Sequence, residues 1–248
     1  MKILFVTLSN IGDCILTLPV LDALREKYPQ AQISCLVPPR PREIFINNPG
    51  VTEVIIFDKH AKLIDKVKLF FVLAKRKFDL VVDLRNSFFG AFLPAKEKNL
   101  FSGPLRRIPA KIKHMKEKHL FWANLLDYSG SGKKYQSLNI AVRDIEYINA
   151  LLAKQDAGDN AELVVIAHGA RSQVKCWDKE NFSRLCRRLI QDGSRIVLVG
   201  DLPDQPICNY IAQANAGQKL LNLCAKTNLS QLSALLKIKP DDIKLEKA

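Results

Sequence analysis

Short runs of uninterrupted apolar residues, each leading into a helix-length stretch, constrain this chain more than any other feature. "KILFV" (2–6), "QISCLV" (32–37), "VTEVIIF" (51–57) and "FDLVVDL" (78–84) are apolar throughout rather than alternating. A strand of that kind has to be covered on both faces, as parallel strands inside an α/β sheet are. Helices are predicted between them at 13–28, ended by Pro29, and at about 61–76. The pattern blurs between 96 and 140, where a helix over 117–130 and a turn over 129–134 are expected. A helix at 143–155 precedes the polar break "DAGDN" (156–160). A second series then starts with a strand in "AELVVIAHGA" (161–170). It continues with a helix at 179–193 capped by Gly193, the strand "SRIVLVG" (194–200), a helix at 204–217, a short strand in "KLLNLC" and a helix at 228–236. The expected organisation is a doubly wound α/β domain over 1–157, a second over 161–236 with only about three strands and therefore incomplete, and a polar tail, "KIKPDDIKLEKA", over 237–248.

Composition narrows the setting. The chain has 248 residues, of which 48% are hydrophobic, enough for substantial cores. No apolar run approaches the roughly 18 residues of a membrane span, and the N-terminus lacks the long apolar region of a signal peptide; a cytoplasmic protein is expected. Cys14, Cys35, Cys176, Cys186, Cys208 and Cys224 are scattered without metal-ligand spacing, so free thiols and no metal site are expected. The net charge is +13. Residues 161–248 hold 13 Lys/Arg against 9 Asp/Glu, which leaves +9 in residues 1–160. Two blocks stand out: 59–77 with seven Lys/Arg against one Asp, and 96–118 with eight against two Glu. Such a field attracts anions, whether nucleic acid, anionic lipid or an anionic substrate; a solvated helix face is the plainer reading of the first block.

Ligands of open α/β sheets bind at the carboxyl ends of the strands. The polar residues at those ends are Ser9, Asn10, Gly12 and Asp13 after the first strand, Asp83 and Arg85 after the fourth, "HGARSQVKCW" (168–177), and "GDLPD" (200–204). Asp13 in a first helical turn either complements the helix dipole or serves as a general base facing a cleft. Gly169 and Ala170 allow a tight turn whose N–H groups can meet a phosphate, and Lys175 offers a point charge to a diphosphate. Trp177 reads as a packing residue that staples a helix start, with Asp178 as the cap. His114 and His119 lack the partners of a metal site. The chain has no dinucleotide, P-loop or nucleophile-elbow motif.

Taken in order, these segments resemble glycosyltransferase family 9, the ADP-heptose:lipopolysaccharide heptosyltransferases. The opening matches its Ser-x-x-Gly-Asp turn and Thr-x-Pro helix through Ser9, Gly12, Asp13, Thr17, Pro19, Leu24 and Arg25. "NNPGVTEVIIFD", "KFDLVVDLRNSFFGAFL", "AHGARSQVKCWDKENFSRLCRRL" and "LNLCAKTNLSQLSALL" resemble its later signatures. The family's His-Pro-Gly-Ala is here Ala167-His168-Gly169-Ala170, and its later Asp-x-Gly-Pro-x-His motif does not follow residue 236.

The resemblance implies a GT-B fold of two Rossmann-like domains and a cofactor-free, inverting transfer of heptose from ADP-heptose to the anionic inner core of lipopolysaccharide, at the inner face of the inner membrane. It implies Asp13 as the base and Lys175, Gly169, Ala170 and Asp204 as donor-binding residues, with Asp204 at the ribose. Acceptor contacts are expected from Ser9, Asn10, Gly12, Arg85, Arg106 and Arg107, and no nucleic-acid partner is expected. Two alternatives stand beside this: a C-terminally truncated, non-catalytic relative without the donor diphosphate motif, and a basic nucleic-acid-binding α/β protein. The second lacks stacking aromatics interleaved with its basic blocks.

Overall fold

The computed structural model describes residues 1–46, 48–99, 108–123, 125, 140–153, 161–170, 176–217, 219–237 and 244–246. The chain forms two compact units, Met1–Asn139 and Ile140–Ala248.

The first unit holds five parallel strands: β1 (Lys2–Val6), β2 (Gln32–Val37), β3 (Glu53–Ile56), β4 (Phe78–Asp83) and β5 (Ala95–Lys98). Their order is β3-β2-β1-β4-β5. Helices α1 (Ile11–Lys27), α2 (Glu43–Ile46), α3 (Leu63–Ala74), α4 (Phe88–Phe92) and α5 (Met115–Trp122) accompany them. Ile3, Leu4, Phe5 and Val6 of the central strand are all buried, as an apolar strand covered on both faces must be. Helix α1 buries Leu18, Val20, Leu21, Ala23 and Leu24. It runs through Pro19, whose missing N–H leaves the Ile15 carbonyl outside the ladder; Ile15 is exposed, so water can take that carbonyl.

Two features of this unit differ from the sequence expectations. Strand β5, "AKEK", has no apolar pattern; it is an edge strand, where charge is favoured because it blunts pairing with other chains. The helix expected over 117–130 is α5, which starts two residues earlier and ends at Trp122; residues 126–139, with the expected turn, lie outside the described residues. Within the block 96–118, residues 100–107 also lie outside them.

The second unit also has an all-parallel sheet: β6 (Leu163–Ala167), β7 (Arg195–Val199), β8 (Leu220–Asn222) and β9 (Lys244–Glu246), ordered β8-β7-β6-β9. Its helices are α6 (Val142–Ala153), α7 (Lys179–Gln191), α8 (Gln205–Ala214) and α9 (Leu229–Lys237). One face of the sheet packs Val165 and Val197 against Ile148 and Leu152 of α6 and Leu235 of α9. The other packs Val164 and Ile196 against Phe182 and Cys186 of α7 and Ile211 of α8. Helix α6 therefore belongs to the second unit, so the division falls at 139/140, ahead of the polar break at 156–160. The Ser230 hydroxyl reinforces the attachment by donating to the Asp144 carboxylate at 2.5 Å. The segment 237–248 is not wholly a tail: β9 lies in it, paired in parallel with β6. Backbone ladder bonds need no apolar periodicity, which is why the sequence pattern is silent there.

The turn after β4 is held by one buried carboxylate. Asp83 is 3% exposed. Its Oδ1 accepts from the Arg85 N–H at 2.8 Å, and its Oδ2 from the Ser87 N–H at 2.7 Å and the Ser87 hydroxyl at 2.8 Å. The Asp83 N–H donates to Asn99 Oδ1 at 2.7 Å. Gly90 of α4 leaves room for this carboxylate, since a Cβ there would stand 2.2 Å from Asp83 Oδ2. Gly90→Ala is expected to destabilise the chain by about 1–3 kcal/mol, measured as a lower urea midpoint at unchanged m-value.

Candidate functional site

In the first unit the strand order reverses between β1 and β4, the place where an open α/β sheet binds ligands. The β1–α1 turn there is built on a buried polar knot. The Thr17 hydroxyl donates to the Cys14 carbonyl at 2.7 Å and lies 3.0 Å from the Thr7 hydroxyl. The Thr7 hydroxyl in turn donates to the Cys14 Sγ at 3.6 Å. Burial pushes the Cys14 thiol up to about 11, so it stays protonated and donates to the Leu8 carbonyl at 3.1 Å. The knot locks the start of α1, and Asp13 sits half-buried in the first turn.

The Asp13 carboxylate accepts from Asn10 Nδ2 at 2.8 Å. Asn10 is the helix cap by position, yet it caps no backbone group through its side chain and is spent on Asp13 instead. Gly12 is exposed and open, with nothing within 4 Å of where a Cβ would stand. Arg85 follows β4 on the same sheet edge; its charge and that of Asp13 both reach the Cys14 thiol. The Arg85 guanidinium also stands over the Phe57 ring, 5.6 Å from its centre.

One member of this group escaped the sequence reading. Helix α5 packs on α1 and brings in His119, which is buried edge-on to Trp122 with 5.6 Å between ring centres. Burial holds its pKa below the usual imidazole range, and the Asp13 charge partly offsets this. His119 Nδ1 has no hydrogen-bond partner among the described residues. The only sequence signal was a histidine inside a helical stretch, and the packing of that helix on α1 is not written in local pattern.

In the second unit the reversal lies between β6 and β9. After β6, His168 is buried edge-on to Phe182, its Nδ1 3.5 Å from the Cys208 Sγ; burial lowers its pKa also. Gly169 and Ala170 then come to the surface. A Cβ on Gly169 would stand 2.4 Å from both Asp204 carboxylate oxygens, and one on Gly200 2.8 Å from Asp204 Cβ. Asp204 thus fills the space between the turns after β6 and β7, and its Oδ2 accepts from the Asp201 N–H at 3.0 Å. Trp177 stands edge-on to Phe182 with 5.4 Å between ring centres, the staple expected at the start of α7. Asp178 occupies the cap position without a side-chain cap bond. Lys175, Arg106 and Arg107 lie outside the described residues. The six cysteines are free thiols. Among the described residues, no three His, Cys, Asp or Glu side chains are grouped to hold a metal ion, and no helix is long and apolar enough to cross a membrane.

Two Rossmann-like sheets with polar residues gathered at their reversal points define an α/β protein built for ligand chemistry at strand ends. The profile of glycosyltransferase family 9 (heptosyltransferase) matches residues 67–239, and the chain belongs to this family. Lipopolysaccharide heptosyltransferase 3 of Escherichia coli is 28% identical over 257 residues, covering 91% of this chain and 72% of that protein. The structure of a family 9 glycosyl transferase from Veillonella parvula superposes with a TM-score of 0.72 at 19% identity, over 95% of this chain and 72% of that one. That of the Escherichia coli ADP-heptose lipopolysaccharide heptosyltransferase II gives 0.69 at 23%, over 95% and 76%. The fold is of the GT-B type that these structures share.

His119 and His168 are both held neutral below their ordinary range. The unfolded chain therefore takes up protons at a higher pH than the folded one, and stability rises with pH across that interval. The contribution is full above the ordinary histidine value and is lost as the pH falls through it towards the folded-state values. Urea midpoints are expected to drop between about pH 7 and about pH 5, with a shallower drop in His119→Gln.

Proposed function

We propose that the chain transfers a heptosyl group from ADP-heptose to an acceptor hydroxyl of the lipopolysaccharide inner core. The observation that carries this reading is the Asp13 carboxylate, oriented by Asn10 at the reversal point of the first sheet in a family 9 chain. The acceptor oxygen attacks the anomeric carbon, the bond from that carbon to the diphosphate oxygen breaks with inversion, and the acceptor proton passes to Asp13. The contribution of Asp13 is to hold the hydroxyl within about 3 Å and take the proton as the oxygen–carbon bond forms.

In this proposal Gly169 and Ala170 present backbone N–H groups to the donor diphosphate, and Lys175 supplies the cation that stabilises it as leaving group. Asp204 Oδ1 is the oxygen left for a ribose hydroxyl, Oδ2 being taken by Asp201. Ser9, Asn10, Gly12 and Arg85, with Arg106 and Arg107, form the acceptor side. The +9 carried by residues 1–160 suits carboxylates and phosphates on the acceptor and supports docking at an anionic inner-membrane surface.

The test is ADP release in the presence of ADP-heptose and a heptose-deficient lipid acceptor. Asp13→Asn is expected to lower turnover by about 10²–10⁴-fold while leaving the thermal shift caused by ADP intact. Gly169→Ala is expected to weaken that shift, because the new Cβ displaces Asp204. Release that is equal in wild type and Asp13→Asn sinks the assignment of the base. Absence of both release and an ADP shift favours the non-catalytic alternative.

A further inference from the structure

Helix α3 buries little of itself. Leu73 is its one fully buried residue, and Leu69, Phe70 and Ala74 are partly buried against the core. The adjoining side is apolar as well: Leu63 is 77% exposed, Ile64 60%, Val67 44% and Phe71 59%. Beside it, α4 leaves Phe88 60% and Phe92 64% exposed. The rings form one array, with 5.9 Å between Phe70 and Phe71, 5.3 Å between Phe70 and Phe88, and 4.6 Å between Phe88 and Phe92. Scattered exposed apolar residues are ordinary, but a contiguous patch of large ones marks an interaction surface.

The surroundings of the patch say what covers it. Lys62, Lys68 and Lys75 on and beside α3 are exposed, and Lys66 is half-buried with its ammonium on the Lys59 carbonyl. Arg76 is engaged by Glu53. The acids on α3 and just before it are Asp65 and Asp58, against six lysines in 59–77. Two copies of this face would bring two such lysine rims together, so self-association is opposed by charge. An apolar centre with a basic rim fits a surface that offers hydrocarbon at the middle and anions around it.

We infer that α3 and α4 are the face by which the chain docks on an anionic lipid bilayer, with Phe71, Phe88 and Phe92 entering the acyl boundary and the lysines meeting lipid phosphates. This deepens the membrane-surface reading above and rests on it. Helix α4 follows β4 at the same sheet edge as Asp13, so a bilayer seated there presents a lipid-anchored acceptor on the side of the carboxylate.

Flotation of the full chain with vesicles of phosphatidylcholine, with and without phosphatidylglycerol, tests the inference without any sugar donor. The wild type is expected to float with the phosphatidylglycerol vesicles and to be released by salt. Phe88→Ser/Phe92→Ser is expected to weaken that partition by at least about tenfold with an unchanged melting temperature, since both rings are exposed. Lys62→Glu/Lys68→Glu is expected to weaken it by about fivefold or more per lysine, on the anionic vesicles alone. Wild-type binding that both variants reproduce overturns the assignment of this face while leaving the membrane reading intact. A wild type that floats with neither vesicle overturns both. A wild-type dimer that Phe88→Ser/Phe92→Ser renders monomeric, with no vesicle binding, gives the face to a second copy instead.

Discussion

Each unit depends on a central strand with no polar face. Residues Ile3–Val6 of β1 and Leu163–Ile166 of β6 are buried on both sides, so neither strand can lie on a surface or at the edge of a half-covered sheet. The neighbouring strands must run parallel, the connections must cross over through helices, and those helices must cover both faces. Turns then collect at the carboxyl edges, where backbone groups leave the ladder unpaired. Asp13 and Arg85 lie at that edge of the first sheet, and Asp204 beside Gly169 lies at that edge of the second, for this reason.

Both units secure that edge with the same device. A short acidic side chain occupies the volume that a missing Cβ vacates. Asp83 fills the space over Gly90, and Asp204 fills the space over Gly169 and Gly200. Asp83 accepts the Arg85 and Ser87 N–H groups and Asp204 the Asp201 N–H, so each carboxylate ties down its own turn. In the first unit the Thr7–Cys14–Thr17 knot and the Asn10–Asp13 bond fix where the Asp13 carboxylate stands.

The exposed side of α3 breaks the usual logic of a covering helix. A helix over a sheet normally shows an apolar stripe inward and a polar one outward. Helix α3 carries an exposed apolar stripe next to the buried one, with lysines along it. The basic block at 59–77 read most plainly as a solvated helix face, because charge alone does not distinguish water from phosphate. The exposure of the apolar residues among those lysines follows from which face the core takes.

The strands of both series, the helices between them and the residues at their carboxyl ends were legible because periodicity and burial share one cause: an apolar run must be covered. The family was legible too, since the order of its turns survives in Ser9–Asp13 and Ala167–Trp177. The charged edge strand β5, strand β9, the attachment of α6 to the second unit and the buried His119 beside Asp13 were not. Pairing at an edge needs only backbone groups, and the packing of one helix on another joins residues far apart in the chain. The sequence by itself determined which segments are strands and which side chains can carry chemistry, because those follow from local composition and spacing. Only the tertiary structure decided which carboxylate is buried in a turn and which is offered at the surface, and which side of α3 meets the core, because those depend on what comes to lie against each residue.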